Sequence, residues 1–293
     1  MMGDCRSCSR AADAARDTEV QSIASRIVRI ALTRTVPPTI GNCELTHLAR
    51  EPIDYTRAVA EHHAYERALA QLGCRVERLP DAPGLPDSVF VEDTAVVLDS
   101  AAMIARSGAE SRRPEAAPVA DTLKPYREVI VMQPPGTLDG GDVLRIGARL
   151  YVGRSTRTND GGIRQLATLA ARDGITVITV PVTRCLHLKS AVTAVRQAPP
   201  VVLVNRDWID TQPFDGCEIV DVDPAEPGAA NVLLIGETVV CAAEFPRTRA
   251  RLDARGIRTI AVASGELAKA EGALTCCSIV FEERPHGPKL ERP

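Results

Sequence analysis

The sequence has 293 residues, with 35 Lys and Arg against 38 Asp and Glu, which gives a formal net charge of −3 at pH 7. Apolar residues make up 45% and charged residues 25%, the balance of a globular protein with material for a sizeable core. A near-neutral chain without a basic block argues against nucleic-acid or anionic-membrane partners. No apolar run approaches the roughly 20 residues that a membrane-spanning helix needs.

The N-terminal segment mixes charged, small and polar residues and lacks the apolar core of a secretory signal, so we expect a cytoplasmic protein. The nine cysteines are spread along the chain, unlike the dense framework of a small secreted domain. Cys5 and Cys8 form a CxxC pair, but nothing completes a four-ligand zinc site, and no metal is expected. We predict a disordered extension over 1–25, one catalytic domain over 26–284 and a polar tail over 285–293.

Helical segments alternate with β-branched runs along the chain. Asp54 is a candidate N-cap for a helix over 55–72, which Gly73 would end. Similar signals predict helices over 158–171 and 246–254, with glycines shortly after each. Strand-like runs precede and follow these segments, so each unit has the outline ββαβ.

These units repeat. The segment from Gly141 to Gly147 aligns without a gap with the segment from Ala230 to Gly236, and weaker copies follow the same outline. Five positions are equivalent in this alignment, with spacings of 49, 48, 41 and 47 residues: Asp93, Asp142, Ser190, Asn231 and Ser278. A period of this size is typical of units that bury their faces against one another. It favours a five-bladed, pseudosymmetric α/β propeller over the alternative, an open doubly wound sheet.

Three residues that precede first strands of these units form a candidate catalytic set: Asp139, His187 and Cys276. A thiolate is a good nucleophile, imidazole transfers protons near neutral pH, and a carboxylate can fix the imidazole tautomer. The plain alternative is a core cysteine and a structural histidine. Cys277, which would point away from Cys276 on a strand, is expected to be a core residue.

An acidic cluster lies in the segment from Pro86 to Asp93 and contains Asp87, Glu92 and Asp93. It is either a solvated loop and strand edge or a pocket for a delocalised cation such as guanidinium, whose planar donors match carboxylates. Arg112 and Arg157 could hold a substrate carboxylate, although most arginines are surface charges.

At these residues the chain resembles the dimethylarginine dimethylaminohydrolase family of the guanidine-modifying α/β propellers. Five motifs carry the resemblance in the right order, over about residues 27–281: Leu85–Val97, Leu138–Leu144, Gly153–Asn159, Leu186–Ser190 and Leu274–Ser278. The chain departs from the family pattern at Glu271, where some relatives have Asp, and the first 25 residues have no counterpart.

The resemblance implies Cys276 as nucleophile, His187 as general acid and base, and Asp139 as the residue that orients His187. It also implies a set of substrate contacts: Leu45 in a lid loop, Asp87, Glu92, Asp93, Arg112, Arg157 and the backbone carbonyl of Ala270. The implied reaction is hydrolysis of Nω-methylated arginine to citrulline and a methylamine through a covalent thiouronium on Cys276, with no metal or organic cofactor.

Two other functions stay open at this point. One is a deiminase-like hydrolase for unmethylated or N-hydroxylated arginine, since selectivity for one methyl group depends on pocket shape. The other is a binding protein for arginine derivatives without turnover. The only partner expected is a small-molecule substrate, and the resemblance allows a monomer or a homodimer.

Overall fold

A computed structural model describes residues 28–283, which form five small β-sheets arranged as a ring. The expected extension over 1–25 and the tail over 285–293 lie outside the described residues. In each sheet the first strand pairs antiparallel with the second, and the second pairs parallel with the third. In chain order the strands are β1 (Arg29–Thr33), β2 (Cys74–Arg78), β3 (Ala95–Val97), β4 (Ala101–Ile104), β5 (Glu128–Val131), β6 (Val143–Ile146), β7 (Arg149–Arg154), β8 (Thr176–Pro181), β9 (Val192–Gln197), β10 (Pro200–Val204), β11 (Glu218–Asp221), β12 (Leu233–Ile235), β13 (Thr238–Ala242), β14 (Arg258–Val262) and β15 (Ile279–Glu282). The sheets are β3–β4–β5, β6–β7–β8, β9–β10–β11, β12–β13–β14 and β15–β1–β2.

Helices connect the second and third strands of four sheets. The helices of the described residues are α1 (Tyr55–Gln71), α2 (Ala116–Leu123), α3 (Asp160–Ala170), α4 (Leu188–Ala191), α5 (Pro246–Asp253) and α6 (Gly265–Ala268). The predicted cap of α1 is confirmed, because the Asp54 carboxylate accepts a 3.0 Å hydrogen bond from the Arg57 backbone N–H. Within the part of the chain that is described, no helix is long and apolar enough to cross a membrane.

The middle strand of each sheet is buried on both faces. On β10, Val201 and Leu203 pack into one apolar cluster, whereas Val202 and Val204 pack into the next one around the ring. The same alternation on the other middle strands gives five apolar clusters, each between two neighbouring sheets. The five-bladed α/β propeller is therefore confirmed, and the open doubly wound sheet is wrong.

The ring closes where the last described strand pairs with the first. β15 lies antiparallel to β1, with Leu32 opposite Ile279 and Ile30 opposite Phe281. The fifth unit is consequently built from both ends of the described chain, with β15 as its first strand and β1, α1 and β2 completing it.

The ββαβ outline is wrong for the third unit. Its second and third strands are joined by 13 residues that contain a 3-10 turn, Gln212–Phe214, instead of an α-helix. The missing helix accounts for the short spacing of 41 residues in this unit. Phe214 fills the space instead, because it is fully buried and stacks on Tyr151 with ring centroids 4.6 Å apart.

Candidate active site

A short helical turn precedes the first strand of each sheet, and contacts between these turns link them near the axis of the ring. The turn before β3 contacts those before β6 and β15, and α4 contacts those before β6 and β12. All five positions aligned in the sequence lie within or directly after these turns, which explains how residues far apart in sequence become neighbours. The turns are Val91–Thr94, Gly140–Asp142, Leu188–Ala191, Pro227–Ala230 and Thr275–Cys277.

His187 directly precedes α4, and its buried ring lies between two carboxylates. Its Nε2 atom is 3.2 Å from Oδ2 of Asp139, and its Nδ1 atom is 3.9 Å from Oδ1 of Asp93. Burial alone would lower the pKa of His187, but the carboxylates of Asp93, Asp139 and Asp142 outweigh it and raise the pKa to about 9. The ring is therefore protonated at neutral pH and able to give a proton to a leaving group.

Asp93 is held in its charged form by two cations. Burial would raise its pKa, but the His187 ring and the Arg112 guanidinium together hold the pKa of Asp93 well below its usual range. The Nη1 atom of Arg112 lies 2.7 Å from Asp93, and Nη2 lies 2.9 Å from the buried carboxylate of Glu115. Arg112 thus binds two buried carboxylates, although its sequence motif suggested a substrate carboxylate as its partner.

The double glycine after Asp139 permits close packing. A Cβ atom on Gly140 would collide with the backbone oxygen of Glu92, and one on Gly141 would lie 2.6 Å from Nδ1 of His187. The Gly141 backbone N–H also donates to Asp93 over 2.9 Å. Glycine is therefore the residue that lets this turn approach the imidazole and the acidic segment together.

Asp142, which entered the sequence alignment only as a marker, fixes the backbone next to His187. Its Oδ1 atom accepts a 2.9 Å hydrogen bond from the Leu188 N–H. Its Oδ2 atom accepts from the hydroxyls of Ser155 at 2.6 Å and Thr158 at 2.7 Å. These three bonds satisfy a fully buried carboxylate and hold the segment that carries the imidazole.

Glu92 connects the histidine and cysteine turns. Its carboxylate accepts from the Lys189 ammonium at 2.5 Å and from the Thr275 hydroxyl at 2.7 Å. The Asn231 side chain joins the same network, because its Nδ2 donates to the Lys189 carbonyl and its Oδ1 accepts from the Thr275 N–H. Burial raises the pKa of Glu92 even though Lys189 opposes this. Asp87, Glu92 and Asp93 are thus buried, and Glu92 and Asp93 are paired with cations, so the solvated-loop alternative is wrong.

Cys276 lies in the 3-10 turn Thr275–Cys277, so the expectation that Cys276 and Cys277 occupy a strand is wrong. Both cysteines are buried, and the Cys277 thiol donates to the Ala273 carbonyl over 3.4 Å. Burial raises the pKa of Cys276 to about 12, with Glu92 and Asp93 adding to the effect. Since Asp93 shifts the pKa of both Cys276 and His187, all three groups share one electrostatic environment.

Asp87 and Leu45 lie near the start of an exposed loop. Both carboxylate oxygens of the buried Asp87 accept from the Glu44 N–H, at 3.1 and 3.3 Å, and burial raises the pKa of Asp87. Leu45 is half-buried and packs against the apolar cluster that also contains Ala270 and Cys276. The structure therefore places Leu45 and Ala270 in the apolar cluster around Cys276, and it places Asp87 against the start of the exposed loop.

Arg157 has a buried guanidinium nitrogen that forms no hydrogen bond with the described residues. It is 7% exposed, its Nη1 atom is 3.7 Å from Oδ2 of Asp139, and its Nη2 atom donates to the Thr46 hydroxyl over 3.2 Å. Nη1 is buried and has no hydrogen-bond partner among the described residues. A buried donor of this kind suits an anionic group of a ligand.

Ligand atoms of Asp93, Asp139 and His187 lie within 4.8 Å of one another, which is close enough for a metal ion. The charges nearby oppose that use, because Arg112 contacts Asp93 and Arg157 lies beside Asp139. These two guanidinium cations already compensate the carboxylates that a dication would need. The arrangement fits a protonated imidazole better than a metal.

An apolar cavity of about 490 Å³ lies next to the cluster. Its walls include Leu186, which precedes His187, and Leu274, two residues before Cys276. Leu48 and Glu271 contribute another part of its lining. The cavity thus runs between the exposed loop after Leu45 and the segments that carry the imidazole and the thiol.

Comparisons with known proteins agree with this architecture. The sequence model described as N,N dimethylarginine dimethylhydrolase, eukaryotic, matches residues 46–212. An N(G),N(G)-dimethylarginine dimethylaminohydrolase of Streptomyces coelicolor is 40% identical over 254 residues, which cover 86% of this chain and 97% of the relative. The chain belongs to the dimethylarginine dimethylaminohydrolase family.

Two further comparisons concern Pseudomonas aeruginosa. Its dimethylarginine dimethylaminohydrolase is 33% identical over 238 residues, covering 80% of this chain and 92% of the relative. A solved structure of a variant of the Pseudomonas enzyme in complex with citrulline superimposes with a TM-score of 0.81 at 30% identity, covering 87% of this chain and 100% of that one. The likeness to dimethylarginine dimethylaminohydrolases thus extends over the whole ring.

Sequence reasoning missed several residues of this family member's cluster. Lys189, Glu115 and Asn231 make buried polar contacts there, yet none was assigned a role. Lys189 could have been found, because it lies two residues after His187 in the Leu186–Ser190 motif and because a buried acidic cluster needs a cation. Glu115 left no comparable signal, since another acidic residue, Glu110, lies even closer to Arg112 in the sequence.

Proposed function

We propose that the protein hydrolyses Nω-methylated arginine, dimethylated or monomethylated, to citrulline and the corresponding methylamine. The observation that carries the proposal is the imidazole of His187, which lies between the buried carboxylates of Asp93 and Asp139 in the electrostatic environment of the Cys276 thiol. Membership of the dimethylarginine dimethylaminohydrolase family supports the same reaction.

Charge complementarity supports an arginine derivative as substrate. The buried carboxylates of Asp87, Glu92 and Asp93 suit its guanidinium and α-amino groups. The Nη1 atom of Arg157, which has no hydrogen-bond partner among the described residues, suits its α-carboxylate. Arg112, whose donors go mainly to Asp93 and Glu115, acts chiefly by keeping Asp93 charged. Leu45 and the carbonyl of Ala270 complete the set of proposed substrate contacts.

The raised pKa values of Cys276 and His187 favour a neutral thiol and a charged imidazole at neutral pH. Burial and the nearby carboxylates of Glu92 and Asp93 raise the pKa of Cys276, and a guanidinium cation bound beside these carboxylates lowers it again by favouring the thiolate, so the thiol loses its proton to solvent. The thiolate attacks the central guanidinium carbon and forms a C–S bond. Positive charge on the substrate therefore activates the nucleophile that attacks it.

His187 then acts twice. It first protonates the methylated nitrogen as the C–N bond breaks, which releases the amine and leaves a thiouronium on Cys276. The neutral ring next removes a proton from a water molecule that attacks the same carbon. The C–S bond breaks, the thiol is regenerated and the ureido group of citrulline remains. Asp139 keeps the ring in the orientation that serves both steps.

Citrulline formation tests the proposal directly. Purified protein is incubated with dimethylarginine, monomethylarginine or arginine, and citrulline is measured by a colour assay. We expect citrulline from both methylated substrates and little from arginine. Equal turnover of arginine would instead indicate a deiminase-like hydrolase. Calorimetric binding without any citrulline would indicate a binding protein and contradict the proposal.

A further inference from the structure

The carboxylate of Glu271 binds the tip of the exposed loop that follows Leu45. It accepts hydrogen bonds from three consecutive backbone N–H groups, those of Thr46 at 2.9 Å, His47, and Leu48 at 2.5 Å. More than 220 residues separate the donors from the acceptor. One side chain therefore satisfies three adjacent N–H groups across the mouth of the apolar cavity, which Leu48 and Glu271 both line.

The backbone at Glu271 adopts an unusual conformation. Its φ is +55°, and it is the only non-glycine residue with a positive φ in the part of the chain that the structure describes. Such conformations are unfavourable for residues with a side chain and persist where the surroundings enforce them, often at functional sites. This conformation directs the carboxylate toward the loop.

The other contacts of the loop lie mainly at its base. Arg50 donates to the carbonyls of Gly41 and Cys43, which ties the two ends together. The Glu44 N–H donates to Asp87, as described above. These contacts keep the base in place whether or not the tip is bound.

Little burial holds the tip itself. Residues 46–50 are exposed, and the Leu48 side chain is 52% exposed. Besides the bonds to Glu271, the tip has one polar contact among residues 28–283, the hydrogen bond from Arg157 to the Thr46 hydroxyl. The tip thus covers the guanidinium proposed for the substrate carboxylate, and the Glu271 carboxylate supplies most of the bonds that keep it there.

Glu271 also connects the loop to the nucleophile. It directly follows Ala270 and lies five residues before Cys276, on the segment that leads into the cysteine turn. The Glu271 carboxylate therefore ties the loop tip to the backbone segment that leads into the cysteine turn.

We propose that Glu271 is a latch that holds the 44–50 loop closed over the site and so sets how tightly substrate is retained. It is a positioning residue, since it acts through the loop and through Arg157. The inference rests on the proposed function for its kinetic consequences, whereas the latch itself concerns only the loop and the carboxylate.

The test compares Glu271→Gln with Glu271→Gly. The first keeps the size of the side chain but removes its charge. The second suits the positive φ and so guards against misfolding. The control is Glu237→Gln, because the Glu237 side chain is 87% exposed and lies in the turn between β12 and β13.

Hydrogen exchange by mass spectrometry supplies the readout that is independent of substrate. We expect the amides of residues 46–48 to exchange about tenfold faster or more in both latch variants, since a lost charge-assisted hydrogen bond is worth about that factor. The control should exchange as the unmodified protein does. Unchanged exchange at residues 46–48 in both latch variants would overturn the proposal, even if the protein hydrolysed no arginine derivative.

Steady-state kinetics with dimethylarginine supply the second readout. We expect KM to rise about tenfold in the latch variants while kcat changes less than about threefold, because the chemistry at Cys276 is untouched. A fall in kcat with an unchanged KM would assign Glu271 to the chemical steps and overturn the latch. Absence of turnover in the unmodified protein would count against the proposed function alone, with the exchange data still deciding the latch.

Discussion

The Lys189 ammonium forms a partly buried ion pair with the Glu92 carboxylate, and this pair joins the histidine turn to the cysteine turn. The two side chains are only 13% and 12% exposed, so each is the main compensation for the other's charge. The geometry of the site therefore depends on a lysine that lies outside the proposed catalytic set.

Replacement of this lysine should be costly for folding. Lys189→Met leaves Glu92 buried without its cation, and we expect the free energy of unfolding to fall by about 3–5 kcal/mol in urea titrations at pH 8. Because burial already raises the pKa of Glu92, the deficit should shrink toward pH 5 as the carboxyl takes up a proton.

The matched control for this prediction is Lys124→Met. Lys124 pairs with Asp121 on the surface, where both side chains are more than 60% exposed. Loss of such a pair should change stability by less than about 1 kcal/mol. Equal effects of the two substitutions would show that the Lys189–Glu92 pair is no stronger than a surface contact.

Removal of the nucleophile or the proton donor should abolish turnover without unfolding the protein. We expect Cys276→Ser and His187→Ala each to lower kcat for dimethylarginine by about 10³-fold or more, since each removes a group that the reaction needs. Citrulline release measures the rate, and circular dichroism checks the fold. Cys217→Ser serves as the control, because Cys217 is half-buried, directly precedes β11 and has no proposed role in the reaction. Full activity in either catalytic variant would reject its assignment.

The pH dependence of kcat/KM should report the charge on His187 in the free enzyme. Its folded pKa of about 9 lies above the usual value of 6.5, so the protonated ring persists through neutral pH and is lost as the pH rises through about 9. We expect kcat/KM to decline on that alkaline side. Asp139→Asn removes a charge and a hydrogen bond that raise this pKa, so the decline should begin at lower pH. An unmoved alkaline limb would show that another group controls it.

Gly141 should tolerate no side chain. In Gly141→Ala the new Cβ atom would lie 2.6 Å from Nδ1 of His187 and 2.9 Å from Oδ1 of Asp93, so the ring must move. We expect kcat to fall about 10- to 100-fold, the scale of a small misplacement of a catalytic group. Gly84→Ala is the control, because nothing lies within 4 Å of its added Cβ atom. Wild-type kcat in Gly141→Ala would mean that the imidazole position is not critical.

Regularities within each repeat unit explain the features of the fold that could be predicted from the sequence. The turn, two strands and a glycine stop recur with nearly constant spacing, and this placed Asp93, Asp142 and Asn231 in equivalent positions before the fold was known. The alternation of buried side chains on the middle strands also follows from local sequence. The five-bladed ring was therefore accessible from sequence alone.

Contacts between distant segments explain what the sequence did not predict. The Lys189–Glu92 pair joins residues 97 positions apart, and the Glu271 latch spans more than 220. Such pairs produce no periodic pattern in the sequence, because the two residues become neighbours only when the ring closes. Similarly, the turn at Cys276 was expected to be a strand because its apolar residues suit either conformation.

The pairing of β15 with β1 has a consequence for biosynthesis. Among the described strands, β15 is translated last, directly after the turn that bears the thiol, whereas its partner β1 is the first to emerge from the ribosome. A nascent chain thus contains the strands of four sheets, His187 and the carboxylates around it before Cys276 and the strand that closes the ring have been made. The catalytic cysteine and the strand that covers the open edge of β1 are therefore both added within the final few amino acids of the propeller. Until then the exposed sheet edge is open to aggregation.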